Sequence, residues 1–297
     1  MFVFEQAGVD VKAQARGVLL MIGAVGCFPI MQSCVQALVT THEMSFVQAT
    51  WGRYFFHALL VPVFFPRVVT ELRQLDGVTL QLLRGFVLFV GTGFAFAALK
   101  SLPIPQVTAL SFIAPALVTM LAALWLKESV DWRRWAAVLV GLIGVLVIVR
   151  PNYDFQWAMC LPLGMAAMYA LYQALTRLTR NTASPVTSLF FTALVGALGA
   201  CIAVPFFWNE PTTEGWLLLF GSALFGALGH WMLIKAYQQA EASFIAPFAY
   251  TELLSASLVS YLAFGYVIDS WTLLGAVIIV LSGLQLAWRP RGRSSQS

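Results

Sequence analysis

Residues 131–151, DWRRWAAVLVGLIGVLVIVRP, return in altered form at 269–290 as DSWTLLGAVIIVLSGLQLAWRP. Each copy is an acidic residue and a Trp, an apolar run with a late Gly (Gly144, Gly283), then Arg-Pro. The two glycines lie 139 positions apart (283 less 144), close to half of the 297-residue chain. When each copy closes a unit with an odd number of membrane spans, the second unit must lie upside down relative to the first. That is the build of a carrier more than of an enzyme.

Hydrophobic residues make up 60% of the chain and charged residues 10%. Soluble domains carry roughly 25% charged residues, so lipid is the expected solvent. The net charge of +4 is small, and the basic residues cluster at the ends of apolar runs. That placement suits topology and anionic headgroups and argues against a nucleic-acid partner. Residues 1–16 carry Glu5, Asp10, Lys12 and Arg16 and read as no cleavable signal. Cys27, Cys34, Cys160 and Cys201 all fall in apolar runs without a C-x-x-C pair, so they read as small buried hydrophobes. No metal site or cofactor is expected.

Runs of about 20 apolar residues are the spanning unit. Ten such runs are present, roughly 17–39, 46–66, 82–100, 103–126, 132–150, 156–177, 185–208, 215–238, 243–265 and 270–288. The longest link, about 67–81, leaves no room for a soluble domain. With the N-terminus placed in the cytoplasm, fourteen Lys and Arg, Arg84 among them, fall on the inside and only Lys100 and Arg150 outside. This asymmetry predicts both termini in the cytoplasm. The fold expected is an all-α membrane protein of ten transmembrane helices, built as two inverted five-helix repeats, 12–151 and 152–290, with a disordered basic tail at 291–297. The first runs of the halves also match, CVQALV at 34–39 with LYQALT at 171–176, which sets Gln36 opposite Gln173.

The chain resembles the EamA branch of the drug/metabolite transporter superfamily over nearly its whole length. The resemblance rests on LRGFVLFVGTGFAFAALKSLPIPQVTALSFIAPALVTMLAALWLKESVDWRRWAAVLVGLIGVLVIVRP (83–151) and APFAYTELLSASLVSYLAFGYVIDSWTLLGAVIIVLSG (246–283). Family members usually end the fourth and ninth spans in Gly-Glu. Here the first copy has Lys127-Glu128 and the second has Gly265-Tyr266. The resemblance implies an inner-membrane location and transport of small organic solutes. The SLPIPQVTALSFIAP style is similar to members that take up S-adenosylmethionine or riboflavin, and amino-acid exporters share the fold.

Among thirteen acidic residues only Glu252 lies near the middle of a run. A carboxylate there costs several kcal/mol if charged and unpaired. It is therefore expected to bind a coupling proton or a cationic group, or to sit protonated against a neighbouring helix. Arg53 is the one Arg read as lying inside a run, with His57 four residues on along the same helix face. Together they suit a carboxylate, a phosphate or Glu252 itself, unless Arg53 snorkels outward. His230 lies deep in the eighth run as a ligand or as hydrogen-bonded structure. Gln32 on the first run and Tyr169 and Gln173 on the sixth form polar stripes fit to line a pathway or to bond neighbouring helices. Tyr250 stands beside Glu252. Pro115, Pro162 and Pro247 are expected to bend spans beside a cavity. Gly91, Gly93, Gly141, Gly144, Gly196 and Gly199 read as close-packing positions.

These features predict a secondary carrier that moves a small polar or aromatic organic metabolite across the inner membrane by alternating access, with proton coupling resting on Glu252. Its partners would be a small-molecule substrate and the bilayer, in a monomer or homodimer. An exporter of the same fold, a lipid flippase and a membrane-embedded enzyme stay open as alternatives. The membrane-embedded enzyme is the runner-up class, although no run holds the paired carboxylates or the nucleophile beside His that it would need.

Overall fold

The computed structural model describes residues 11–71, 77–124, 132–150, 155–178, 184–239 and 246–287. The elements are all helical: α1 (Val11–Thr40), α2 (Phe46–Phe64), α3 (Val68–Glu71), α4 (Val78–Ala98), α5 (Ile104–Ser111), α6 (Ala114–Leu124), α7 (Trp132–Val149), α8 (Cys160–Leu178), α9 (Pro185–Ala203), α10 (Thr213–Gln239), α11 (Glu252–Phe264) and α12 (Ser270–Ala287). Short 3-10 turns precede α8 (Trp157–Met159), follow α9 (Val204–Phe207) and precede α11 (Ala246–Thr251). Inside a bilayer a backbone must bond to itself, and helices do so within one segment.

Six helical stretches among the described residues are long and apolar enough to cross a membrane: Lys12–Thr40, Val78–Ala98, Ile104–Leu121, Trp157–Thr176, Val186–Phe207 and Thr213–Ala236. Three apolar helices are shorter, at Trp135–Val149, Phe248–Phe264 and Ser270–Gln285. The 19-residue α2 is diluted by Gln48, Arg53 and His57, all of them buried. Lys127-Glu128 and the predicted tail at 291–297 lie outside the described residues.

Two of the expected segments are broken. The fourth splits at Phe112–Ile113 into α5 and α6. Pro115, in the first turn of α6, has no N–H to offer the Ser111 carbonyl, so the α5 ladder stops there. The ninth enters as the 3-10 turn 246–251, which contains Pro247, and becomes α-helical only at Glu252. The proline expectation needs correction elsewhere. Pro162 sits in the first turn of α8, where no bond is lost, whereas Pro29 and Pro62 lie inside α1 and α2.

Capping is local. Ser45 accepts from the Val47 amide at 3.2 Å to start α2, and Ser184 accepts from Thr187 at 3.2 Å to start α9. Gly265, at φ +66°, ends α11 in the left-handed conformation that glycine adopts without strain.

The most extensive helix–helix interfaces all join a helix before residue 151 to one after residue 155: α1 with α10, α7 with α12, α4 with α8 and α9, α2 with α9 and α10, α1 with α11, and α6 with α8. Glycines set several of these distances. A Cβ on Gly144 would lie 2.6 Å from Ile279 and 2.8 Å from the Gly275 carbonyl, so α7 and α12 touch backbone to backbone. Gly93 departs from its expected packing role, since nothing lies within 4 Å of where its Cβ would be.

The outer surface is apolar. Leu254 is 71% exposed, Leu262 72% and Ile202 75%, an arrangement that water would penalise and lipid does not. Cys27 is buried as expected, but Cys160 and Cys201 are on the exposed surface, because their helix faces turn outward.

Candidate functional site

Three of the expected site residues meet in the interior. Arg53 and His57, one turn apart on α2, point toward His230 on α10. Arg53 Nη2 lies 3.5 Å from His230 Nε2, and the His57 and His230 rings stack at 6.1 Å between centroids and 21°. Arg53 Nη1 donates to Thr92 Oγ1 on α4 at 3.1 Å. Thr92 spends its own hydrogen on the Leu88 carbonyl at 2.9 Å, so the Tyr54 hydroxyl donates to Thr92 at 2.8 Å. The guanidinium carbon stands 5.4 Å from the Tyr54 ring centroid and 5.6 Å from that of Phe96. Phe28 on α1 covers the other side of His230 at 5.1 Å.

Arg53 does not snorkel outward: it is 9% exposed and His57 is 2% exposed. Arg53 Nε and His57 Nε2 are buried without a hydrogen-bond partner. Among the described residues no carboxylate lies within ion-pair distance of Arg53, and the expected Arg53–Glu252 pairing is not formed. Breaking a buried pair by removing one partner costs about 3–5 kcal/mol, whereas a cation–π contact returns about 0.5–2 kcal/mol. The site therefore holds more positive charge than its own residues answer, and it is chemically fit to receive an anionic or strongly hydrogen-bonding group.

Glu252 sits apart, as the first residue of α11. Its backbone carbonyl accepts from Ser255 Oγ at 3.0 Å, and the same hydroxyl reaches the Val25 carbonyl on α1 at 3.2 Å. No hydrogen bond or ion pair to its carboxyl group is formed among the described residues. Tyr250 stands two residues before it. Its ring meets Phe112 edge-on at 5.2 Å and 88°, and its hydroxyl lies over Gly283. The breaks of the fourth and ninth segments thus touch each other.

The remaining expected residues are dispersed. Gln32 Oε1 is buried without a partner. Gln36 binds the Leu99 and Leu102 carbonyls at 3.3 and 3.2 Å, a tie between α1 and the turn before α5. Tyr169 stacks on Tyr172 at 5.9 Å and 19°, and Gln173 is half-buried with no bond to another expected site residue among the described residues.

Sequence reasoning missed Arg84. The charge asymmetry reads it as a cytoplasmic-side charge near the start of the third run, but α4 begins at Val78 and Arg84 is 2% exposed inside it. Its Nη2 donates to the Ser188 carbonyl at 2.6 Å and to Thr192 Oγ1 at 2.9 Å on α9, and its guanidinium lies 5.3 Å from the Tyr172 ring centroid. The available signal was the four-residue spacing of Arg84, Leu88, Thr92 and Phe96, which puts all four on one helix face.

A cleft of about 520 Å³ opens at the end of the bundle where α7 stops and α12 starts. Gln106, Arg150, Phe155, Gln156, Tyr266 and Asp269 line it. Arg150, at φ 47°, pairs with Asp269 at 3.6 Å. Burial pulls the Asp269 carboxyl upward, but the Thr272 hydroxyl and amide, Arg150 and the Trp271 amide outweigh it and hold it below its ordinary range.

The profile of the EamA-like transporter family matches residues 15–150 and again 156–286. A riboflavin transporter of Vibrio cholerae is 37% identical over 206 residues, covering 68% of this chain and 69% of that protein. An S-adenosylmethionine uptake transporter of Rickettsia bellii is 28% identical over 84% of this chain and 86% of its own length. A pseudopaline exporter of Pseudomonas aeruginosa is 24% identical over 93% and 97%. One solved crystal structure superposes with a TM-score of 0.60 at 17% identity, over 92% of this chain and 96% of its own, and shows the same fold.

Proposed function

The chain belongs to the EamA-like transporter family, a multi-pass membrane transporter and not an enzyme, and from that premise we propose a secondary carrier for a small polar organic metabolite, working by alternating access between two inverted five-helix halves with both termini in the cytoplasm. The observation that carries this reading is the Arg53–His57–His230 cluster, a buried polar site with unanswered charge between helices of both halves.

The helix pairing supports the inverted arrangement. Numbering segments from one to ten, the extensive contacts are 1 with 8, 3 with 6, 2 with 7, 5 with 10, 4 with 9, 1 with 9, 4 with 6, 2 with 8 and 3 with 7. Adding five to a first-half segment and subtracting five from its partner turns each pair into itself or into another on the same roll, as a two-fold axis between the halves requires. The helix breaks obey it too: Phe112 and Thr251 are 139 positions apart, as Gly144 and Gly283 are. Discontinuous helices at corresponding places in the two halves point to the substrate region.

In this reading Arg53, His57 and His230 bind cargo, with Gln32, Tyr169 and Gln173 along the pathway. Glu252, beside Tyr250 at the break in the ninth segment, takes the coupling proton. The named relatives carry riboflavin, S-adenosylmethionine and pseudopaline, so the cargo is sought among metabolites of that size. The test is counterflow in proteoliposomes holding the full chain, with riboflavin, S-adenosylmethionine, amino acids and nucleosides as trial solutes. One solute should exchange at a rate absent from empty vesicles. Scrambling of labelled phospholipid with no solute movement would replace the carrier with a flippase.

A further inference from the structure

The carrier reading leaves the charge of the cargo open, and the following rests on that reading. Two arginines are buried in the bundle, Arg53 on α2 and Arg84 on α4. Neither has a carboxylate within ion-pair distance among the described residues. Each has a buried Nε with no partner. A guanidinium keeps its charge at every physiological pH, so proton loss cannot relieve the cost of burying it.

One helix joins the two. Thr92 of α4 accepts from Arg53, and Phe96 of α4 lies against the Arg53 guanidinium. Arg84 stands on the same face, about 12 Å along the axis from Thr92 at 1.5 Å per residue. A single buried Arg bonded to a carbonyl and a hydroxyl is explained as a staple between helices. Two set along one face of α4, with His57 Nε2 also unpartnered beside the first, are not.

We propose that this face of α4 is a two-seat path for an organic anion, in which a carboxylate or phosphate of the cargo is held by Arg53 and His57 at one seat and by Arg84 at the next. The planar fork of each guanidinium matches either group. Flat walls stand beside both seats: Phe28 and Phe96 at the first, and the stacked Tyr172 and Tyr169 at the second. A cargo with an aromatic or planar body and an acidic group therefore fits both.

The full chain in phosphatidylcholine nanodiscs, which carry no anionic headgroup, is heated with matched probes: benzoate and benzamide, phenyl phosphate and phenol, riboflavin 5′-phosphate and riboflavin. At least one anion should raise Tm by about 2 °C or more over its neutral partner, since a bound ligand stabilises the folded state. The rise should vanish in Arg53→Gln. Arg84→Gln should keep the rise yet slow counterflow of that anion at least tenfold. If Arg53→Gln does not fold, His57→Gln should shrink the rise in its place. The path is overturned if no anion exceeds its neutral partner, or if Arg53→Gln, or His57→Gln standing in for it, keeps the full rise. It is also overturned if added phosphatidylglycerol displaces the soluble anion, which would give the seat to a lipid headgroup. A neutral solute carried at full rate by both Arg→Gln variants would end the anion path and leave the carrier intact. Anion binding without transport of any solute would end the carrier reading instead.

Discussion

Arg53 Nη2 lies 3.5 Å from His230 Nε2, and the two residues are 177 positions apart in the chain. Arginine only donates, so His230 accepts with Nε2 and carries its proton on Nδ1. The contact locks α2 to α10 and leaves the fork of Arg53 with an open Nε.

Arg53→Lys keeps the charge but cannot reach both Thr92 and His230 and present a free donor. A hydrogen bond to a charged group contributes about 1.5–3 kcal/mol, so substrate affinity should fall about tenfold or more. Equilibrium binding to the purified variant checks it; unchanged affinity excludes a forked contact.

Glu252→Gln keeps the shape of the group at the start of α11 and removes its proton chemistry. Counterflow, which needs no driving ion, should persist. Accumulation driven by an imposed pH gradient should disappear. Undiminished accumulation in the variant would remove Glu252 from the coupling role.

Gly144→Val places a branched side chain where α7 meets the Gly275 carbonyl at a Cβ distance of 2.8 Å. Overpacking costs about 1–3 kcal/mol. At about 2–4 °C per kcal/mol for chains of 150–250 residues, Tm should drop by several degrees. The same change at Gly93, which has nothing within 4 Å, should leave Tm within about a degree by the usual near-neutrality of uncrowded sites.

Glu71, the last residue of α3, accepts from the Thr187 hydroxyl and from Ser184 Oγ at 3.0 Å. The Thr187 bond first, then Ser184, hold its carboxyl below the ordinary range. A group lowered on folding adds stability above its unfolded value and loses it as pH falls through the folded one. The contribution should be constant from pH 8 to about 5 and fade below about pH 4.3, the unfolded value of Glu. Glu71→Gln should flatten that acid limb in a Tm-against-pH series; an identical limb in both proteins would show that the bonds to Glu71 add nothing.

Much of the fold was legible. Each predicted apolar run holds helix among the described residues, with breaks in the fourth and ninth. Pro115 marked the break in the fourth segment because a missing N–H is a local fact. Pro162 misled, since its effect depends on whether the helix starts just before it. Arg84 misled for a similar reason: placed near the start of the third run it reads as an end charge, but the helix begins at Val78 and carries Arg84 into the interior. Arg53, His57 and His230 were each picked out as ionisable groups in apolar runs, which lipid makes costly. That they meet, and that Glu252 does not meet them, was not legible.

The chain's sequence by itself determined that it is helical and lives in lipid. Those properties are local: every backbone bond of a spanning helix closes within four residues, and apolar side chains declare their solvent one at a time. Only the tertiary structure decided which polar groups share a site. That choice depends on how each helix is rotated about its axis and which distant helix lies against it. Here α4 was turned so that Thr92 met Arg53 from α2 while Arg84 met α9, and the hydropathy of neither helix encodes that rotation.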